Sequence, residues 1–285
     1  MGTSTSSTGP KSGVPFDPPW LDQINGDPSS GEDHGNNSSI PPESEIDKNP
    51  NETGMLPVQI APPARFGGAR RALGSFFRNG GGRETFSKAA GHYSKKGMGG
   101  AGGVASRMRH STRTASNLAQ FLGTASSGTD NATTRWVEAI SERNLSSSEI
   151  IDEIIRHVAP SGGSRDEESC SNSMAQAMSE FLERNDDADL LGLEAADIRE
   201  ITELFIANEA YVRLMNDIGQ ISESVDLSPV EAVKLGEEMH EYLVADISVQ
   251  IEKAWQENPN PTQVQLEQLL HNAVKGTFEI YEDGI

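Results

Sequence analysis

The chain has one cysteine, Cys170. That excludes an internal disulfide framework and a zinc site built from several cysteines, and it suits a reducing compartment. Hydrophobic residues make up only 35% of the 285 positions and aromatics 6%, less than a globular chain usually carries. A single large α/β enzyme is therefore not expected. No apolar run approaches the roughly 18 residues that span a bilayer, and the polar start lacks the hydrophobic stretch of a signal peptide. A soluble, cytoplasmic protein without membrane contact is expected. Positive charge is also scarce, with 23 Lys and Arg against 43 Asp and Glu and a formal charge of −20, which argues against a general nucleic-acid coat protein.

The charges that are present are unevenly divided. Residues 1–60 carry a net −7, residues 61–113 a net +10 and residues 114–285 a net −23, and such blocks mark a modular chain. The expected organisation is an acidic disordered arm over 1–60, a glycine-rich basic segment with short helices over 61–125, and an acidic α-helical bundle over 126–285.

Eleven of the fifteen prolines precede residue 64, in a stretch also rich in Ser, Asn, Gly and Asp. Its few apolar groups cannot offset an ordering entropy of roughly 1–2 kcal/mol per residue. Two apolar islands stand out, Val14-Pro15-Phe16-Asp17-Pro18-Pro19-Trp20-Leu21 and Met55-Leu56-Pro57-Val58-Gln59-Ile60. Phe16, Trp20 and Leu21 in the first, and Leu56, Val58 and Ile60 in the second, sit on a stiff proline-containing backbone, as docking peptides do. Incidental apolar residues in a linker are the alternative.

From 65 to 103 the chain holds twelve of its 28 glycines, interleaved with Arg65, Arg70, Arg71, Arg78, Arg83, Lys88, Lys95 and Lys96. Apolar residues recurring every three to four positions predict short helices at 69–78 and 84–90. Arg107, Arg109 and Arg113 open a further helix that runs to about residue 122. This segment is too small and glycine-rich to hold a core alone, so it must order against the helical part of the chain or against a partner.

The remainder reads as an all-α bundle of six helices with one-sided apolar stripes. A short helix over 134–145 carries Trp136, Val137 and Ile140. Ser146 with Glu149 is a capping-box pattern ahead of Ile150, Ile151, Ile154, Ile155 and Val158. Met174, Ala177, Met178, Phe181 and Leu182 make the next stripe, and Ile198, Ile201, Leu204, Phe205, Val212, Met215 and Ile218 another. Ser228-Pro229 with Glu231 starts a helix whose face is Leu235, Met239, Leu243, Ile247, Ile251 and Trp255. Thr262 caps the last, with Val264, Leu266, Leu269, Leu270, Ala273 and Val274.

Chemistry is harder to find. Gly97-Met98-Gly99-Gly100-Ala101-Gly102 satisfies G-x-G-x-x-G, but a dinucleotide site needs a strand before it and an acidic residue about 20 positions on. Here Gly91-His92-Tyr93-Ser94-Lys95-Lys96 precedes it and the next acidic residue is Asp130, so the match reads as accidental. No two histidines are spaced as metal ligands. His157 reads as a partner for a helix C-terminal dipole, and His240 and His271 as surface or partly buried residues. Cys170 stands in polar Glu168-Ser169-Cys170-Ser171 with no base beside it. No catalytic residue, metal or cofactor is expected; the chain does not read as an enzyme.

Arg65, Arg70, Arg71, Arg78, His92, Tyr93, Lys95, Lys96, Arg107 and Arg109 are candidate contact residues. With Phe66, Phe76, Phe77, Phe86 and Tyr93 among the cations, the segment could track a phosphate backbone while rings stack on bases. It could instead bind the acidic bundle or an acidic partner, or be a linker neutralised in cis. The acidic flanks repel nucleic acid, which favours the partner reading. At the other end, Met1-Gly2-Thr3-Ser4-Thr5-Ser6 has a small second residue that permits removal of the initiator methionine. Gly2 then carries an unhindered α-amine that another enzyme could accept. The stretch also fits the myristoylation pattern, which a prokaryotic host would make irrelevant, and an ordinary exposed terminus is the bland alternative.

The opening Met-Gly-Thr-Ser-Thr-Ser, the segment from Val14-Pro15 to Pro18-Pro19-Trp20, Ala61-Pro62-Pro63-Ala64-Arg65-Phe66, and Gly91-His92-Tyr93-Ser94-Lys95-Lys96-Gly97-Met98-Gly99-Gly100 together resemble the QatB family of the bacterial Qat anti-phage defence system. The motif-like resemblance covers about the first 125 residues, and the helical remainder is similar in character only. It implies a non-enzymatic member of a four-component system that also includes an ATPase, a QueC-like enzyme and a TatD-like nuclease. QueC-like enzymes in defence systems are associated with conjugating a deazapurine to an N-terminal glycine, which on this chain would be Gly2. The arm would deliver Gly2, the proline-rich islands would dock it, and a nucleic-acid-binding adaptor is the alternative role.

Overall fold

Side-chain caps fix where most of the helices begin. The computed structural model describes residue 61 and residues 64–159, 163–258 and 261–285; Gly2, Phe16, Trp20, Leu21, Leu56, Val58 and Ile60 lie outside them. The described residues form α1 (Gly67–Arg78), α2 (Arg83–His92), a π-helical turn (Tyr93–Met98), α3 (Ala101–Arg107), α4 (Arg109–Ser127), α5 (Asn131–Ser141), α6 (Ser147–Val158), α7 (Arg165–Arg184), α8 (Ala195–Ile218), a 3-10 turn (Gly219–Ser224), α9 (Pro229–Glu257) and α10 (Gln263–Asp283). There are no strands among them. The expected caps are in place, with Ser146, Ser228 and Thr262 each closing a capping box with Glu149, Glu231 and Gln265. Ser164 with Glu167 does the same for α7, and the Asp130 carboxylate accepts the Thr133 N–H to start α5. Each such cap contributes about 1 kcal/mol.

Among the described residues the basic segment supplies the first helices and packs against the helical part of the chain. Phe66, Phe76, Phe86 and Tyr93 join one continuous core with Phe205, Leu243, Leu270, Phe278 and Tyr281. The Phe86 ring meets Tyr281 edge-on at 5.8 Å, and Tyr93 lies between Phe66, stacked at 5.8 Å, and Phe278 at 6.2 Å. Helix α4 runs through both the charge boundary at residue 113 and the expected segment boundary at 125, burying Leu118 and Leu122. The aromatics of this segment are 0–5% exposed: they are core residues, which removes base stacking by these rings from the alternatives the sequence left open.

Val264 is also corrected. Expected on the inner face of α10, it is 73% exposed, because it precedes Leu266 by two positions and so lies about 200° around the helix from it.

Two glycines permit the close approach of α10 and of the segment's own start. A Cβ at Gly91 would lie 2.3 Å from the Tyr281 backbone oxygen, and one at Gly97 would lie 2.7 Å from the Phe66 ring. Gly91→Ala is therefore expected to force α2 and α10 apart and cost about 1–3 kcal/mol, outweighing alanine's better helix propensity. The readout is a lower urea midpoint at unchanged m-value. Gly102→Ala, with nothing within 4 Å of the new methyl, should leave the midpoint unchanged or raise it.

Candidate functional site at the charged seam

The sequence around Gly91 to Gly100 folds as an anchored turn with an inner and an outer side. In the π-helical turn Tyr93, Ser94, Gly97 and Met98 are buried, whereas Lys95 and Lys96 are exposed. Inside, the Tyr93 hydroxyl donates to Asp217 Oδ2 of α8 at 3.0 Å, and the Ser94 hydroxyl donates to Glu282 Oε1 of α10. Burial, with the Asp217 charge second, raises the Tyr93 phenol well above its usual range, so it remains a donor. Outside, His92 is half-buried; its burial and the neighbouring cations Lys96, Arg71 and Lys95 hold its imidazole below the usual range. Three exposed cations thus share one face with a histidine that stays neutral at physiological pH.

The other sequence-named cations divide between seam and surface. Arg70 donates from Nη2 to the Asp217 carbonyl at 2.9 Å, so Asp217 is held by both Arg70 and Tyr93. The Arg65 guanidinium sits over the Phe66 ring at 4.8 Å. Arg107 is half-buried and lines a cavity, Arg109 is half-buried near His271, and Arg78 is exposed beside Ser75. The turn, α1 and the end of α2 therefore bring Arg71, His92, Lys95 and Lys96 together, whereas Arg65, Arg70 and Tyr93 make contacts within the fold.

Behind the turn is a polar cavity of about 490 Å³ between Tyr93, Met98 and Arg107 on one side and α7 and α8 on the other. Arg107, Arg165 and Arg213 line it together with Asp166, Glu168 and Asp217, a balance of charge that favours neither a simple anion nor a simple cation. Its wall hides Glu209, with no exposed surface. The carboxylate accepts hydroxyl hydrogen bonds from Ser111 at 2.6 Å, Ser169 at 2.7 Å and Ser173 at 2.8 Å, and the Arg213 guanidinium is 3.6 Å away. Three hydroxyls and a nearby cation make burial of the charge tolerable. The sequence carries a signal for this residue that is easily missed: Glu209 lies four positions after Phe205 and eight after Ile201, on the buried face of α8.

Cys170 adjoins the same cluster, its Sγ 3.7 Å from Glu209 Oε2 and 3.8 Å from the Ser111 hydroxyl. Burial, and then the Glu209 charge, push the thiol up to about 12, so it stays protonated at neutral pH and is no nucleophile. Asn208 on the adjacent position donates to the Ser173 carbonyl and bonds His240. G-x-G-x-x-G at 97–102 begins inside the π-helical turn, with no strand before it among the described residues, which agrees with its reading as an accidental match. Among the described residues no group of three or more His, Cys, Asp and Glu is placed to hold a metal ion, and no helix is long and apolar enough to cross a membrane.

Compared with known proteins, residues 99–281 match the family model described as Qat anti-phage system associated protein QatB. Among curated proteins and among solved structures nothing matches. The matched span runs from the end of the anchored turn through α10, so it falls mainly on the helical part, where the resemblance in sequence was one of character only.

The Cys170 environment has a measurable consequence. In the folded chain at pH 8 the thiol should react with a soluble disulfide reagent at least a hundredfold more slowly than in urea, because both access and the thiolate fraction are suppressed. Its folded pKa is raised above the 9.0 of the free group, so its contribution to stability is complete below pH 9 and is lost as the pH rises from there towards 12. Rapid labelling without denaturant would contradict the buried position.

Proposed function

The chain belongs to the QatB family of the Qat anti-phage system, and from that membership we propose that it serves in this defence as a non-enzymatic scaffold whose Gly2 accepts a deazapurine from a QueC-like partner. The α-amine of Gly2, freed by removal of Met1, is the nucleophile, and activation of the deazapurine acid belongs to the partner. The ATPase and the TatD-like nuclease of the system complete the assembly. What carries this reading is the family match together with the stretch that precedes the helices: between Gly2 and Ala64 the chain has a contour length of about 200 Å, ample for the amine to enter a separate enzyme. Phe16, Trp20 and Leu21, and Leu56, Val58 and Ile60, are the docking groups along it.

One observation favours a second reading, an adaptor for nucleic acid. Arg71 on α1 and Lys95 and Lys96 on the turn stand exposed around His92, a cluster of cations that can face phosphates, whereas Arg70 is committed to Asp217.

Intact mass decides the first reading. Chain co-produced with the QueC-like enzyme should gain the mass of one deazapurine adduct at Gly2, absent when the enzyme is omitted, and Gly2→Leu, which retains Met1, should abolish the gain. Identical masses in both preparations would overturn it. For the second reading, replacing Arg71, Lys95 and Lys96 with Ala should remove low-salt retention on single-stranded nucleic acid and reduce the salt slope by roughly 2; unchanged retention counts against it.

A further inference from the structure

Helices α7 and α9 both pack on α8 and leave a groove of about 770 Å³ between them. Its floor is apolar, formed by the half-buried Tyr211 and Met215 one turn apart on α8, with the buried Phe77 at the end of α1 beneath them. One rim is the α7 stripe that carries Glu180 and Glu183; the other is the α9 stripe with Val233, Glu237 and Glu241. Val233 is 61% exposed and Val230, one turn earlier, 79%, so apolar surface continues beyond the rim. At about 1.5 Å per residue, the lining stretch of α9 from Ala232 to Glu241 spans about 14 Å, the length of two to three helical turns.

The charges at this groove are not neutralised by their surroundings. Four carboxylates stand on its rims. Arg184, the cation among its lining residues, has Glu200 at 3.4 Å, and His240 bonds Asn208. One Glu180 oxygen accepts from Gln176 at 2.8 Å, while the other is shielded from water and has no hydrogen-bond partner. Such an oxygen loses solvation without gaining a donor, so the Glu180 charge remains uncompensated at the rim.

We propose that this groove receives an amphipathic basic helix of a partner protein, its apolar ridge on the half-buried Tyr211 and Met215 and on the exposed Val233, and its Lys or Arg side chains on the Glu180–Glu183 and Glu237–Glu241 rims. Helix-in-groove recognition reads apolar anchors at i, i+3 or i+4 and i+7, which matches a floor of this length. Two acidic rims on either side of an apolar floor favour cations on both flanks of that ridge and repel the chain's own acidic arm. The site is independent of Gly2, so its failure leaves the acceptor reading untouched.

The test uses the full chain and a fluorescent 15-residue helical probe with leucines at i, i+3, i+4 and i+7 and lysines elsewhere. A scrambled peptide of the same composition and a version with glutamate in place of lysine accompany it. The lysine helix should raise anisotropy saturably, at least tenfold more tightly than either control. Glu180→Lys with Glu237→Lys should weaken it at least tenfold, as should Val233→Asp. Glu142→Lys with Asp152→Lys, on exposed surfaces elsewhere, should leave affinity within twofold. Equal binding of the scrambled peptide, equal loss from the remote pair, or no binding at all would overturn the proposal.

Discussion

Tyr93 needs a place for its ring and a partner for its hydroxyl, and it finds them on different parts of the chain. The ring lies between Phe66 and Phe278, and the hydroxyl reaches Asp217 on α8. Each aromatic contact contributes about 0.5–1.5 kcal/mol beyond burial, and the charge-assisted hydrogen bond is of the stronger kind. With Arg70 on the same Asp217, a cationic segment that could not fold by itself is fastened to the most anionic part of the molecule. The anchored turn, the polar cavity and the outward position of Lys95 and Lys96 all follow from that fastening.

The charge blocks consequently have two roles that composition cannot separate. Arg70 is used up within the fold, and Arg65 rests on the Phe66 ring, whereas Arg71, Lys95 and Lys96 face outward. On the anionic side, Glu209 is enclosed by hydroxyls, whereas Glu180, Glu183, Glu237 and Glu241 flank an open groove. A net charge of −20 describes neither group, since it sums charges paired within the fold with those on faces of opposite sign that are available to different partners.

Helix starts were the most legible part of the sequence, because a cap is a local event. Ser228, Pro229 and Glu231 lie within four positions, and nothing distant alters what they do. The all-α class was legible for the same reason, from stripes of period 3.6. The role of the glycine-rich segment was not, because the surfaces that give Gly91 and Phe86 their meaning belong to Tyr281 and Tyr242, far along the chain. Aromatics among arginines look alike whether they stack on bases or on one another. Glu209 and Asn208 were concealed by being the polar members of an apolar stripe, and the groove by depending on a space between helices and not on any one of them.

Gly91 and Tyr281 are about 190 positions apart, yet the backbone of one nearly touches that of the other. On the ribosome, at roughly 5–20 residues per second, α2 leaves about 10–40 s before its counterpart on α10 exists. For that interval Phe86 and Tyr93 lack the surfaces that cover them, amid a chain stretch of net positive charge beside ribosomal RNA. Synthesis of α10 is therefore what completes the packing of α2, and loss of the turn that carries Tyr281 would uncover part of the Phe86 ring.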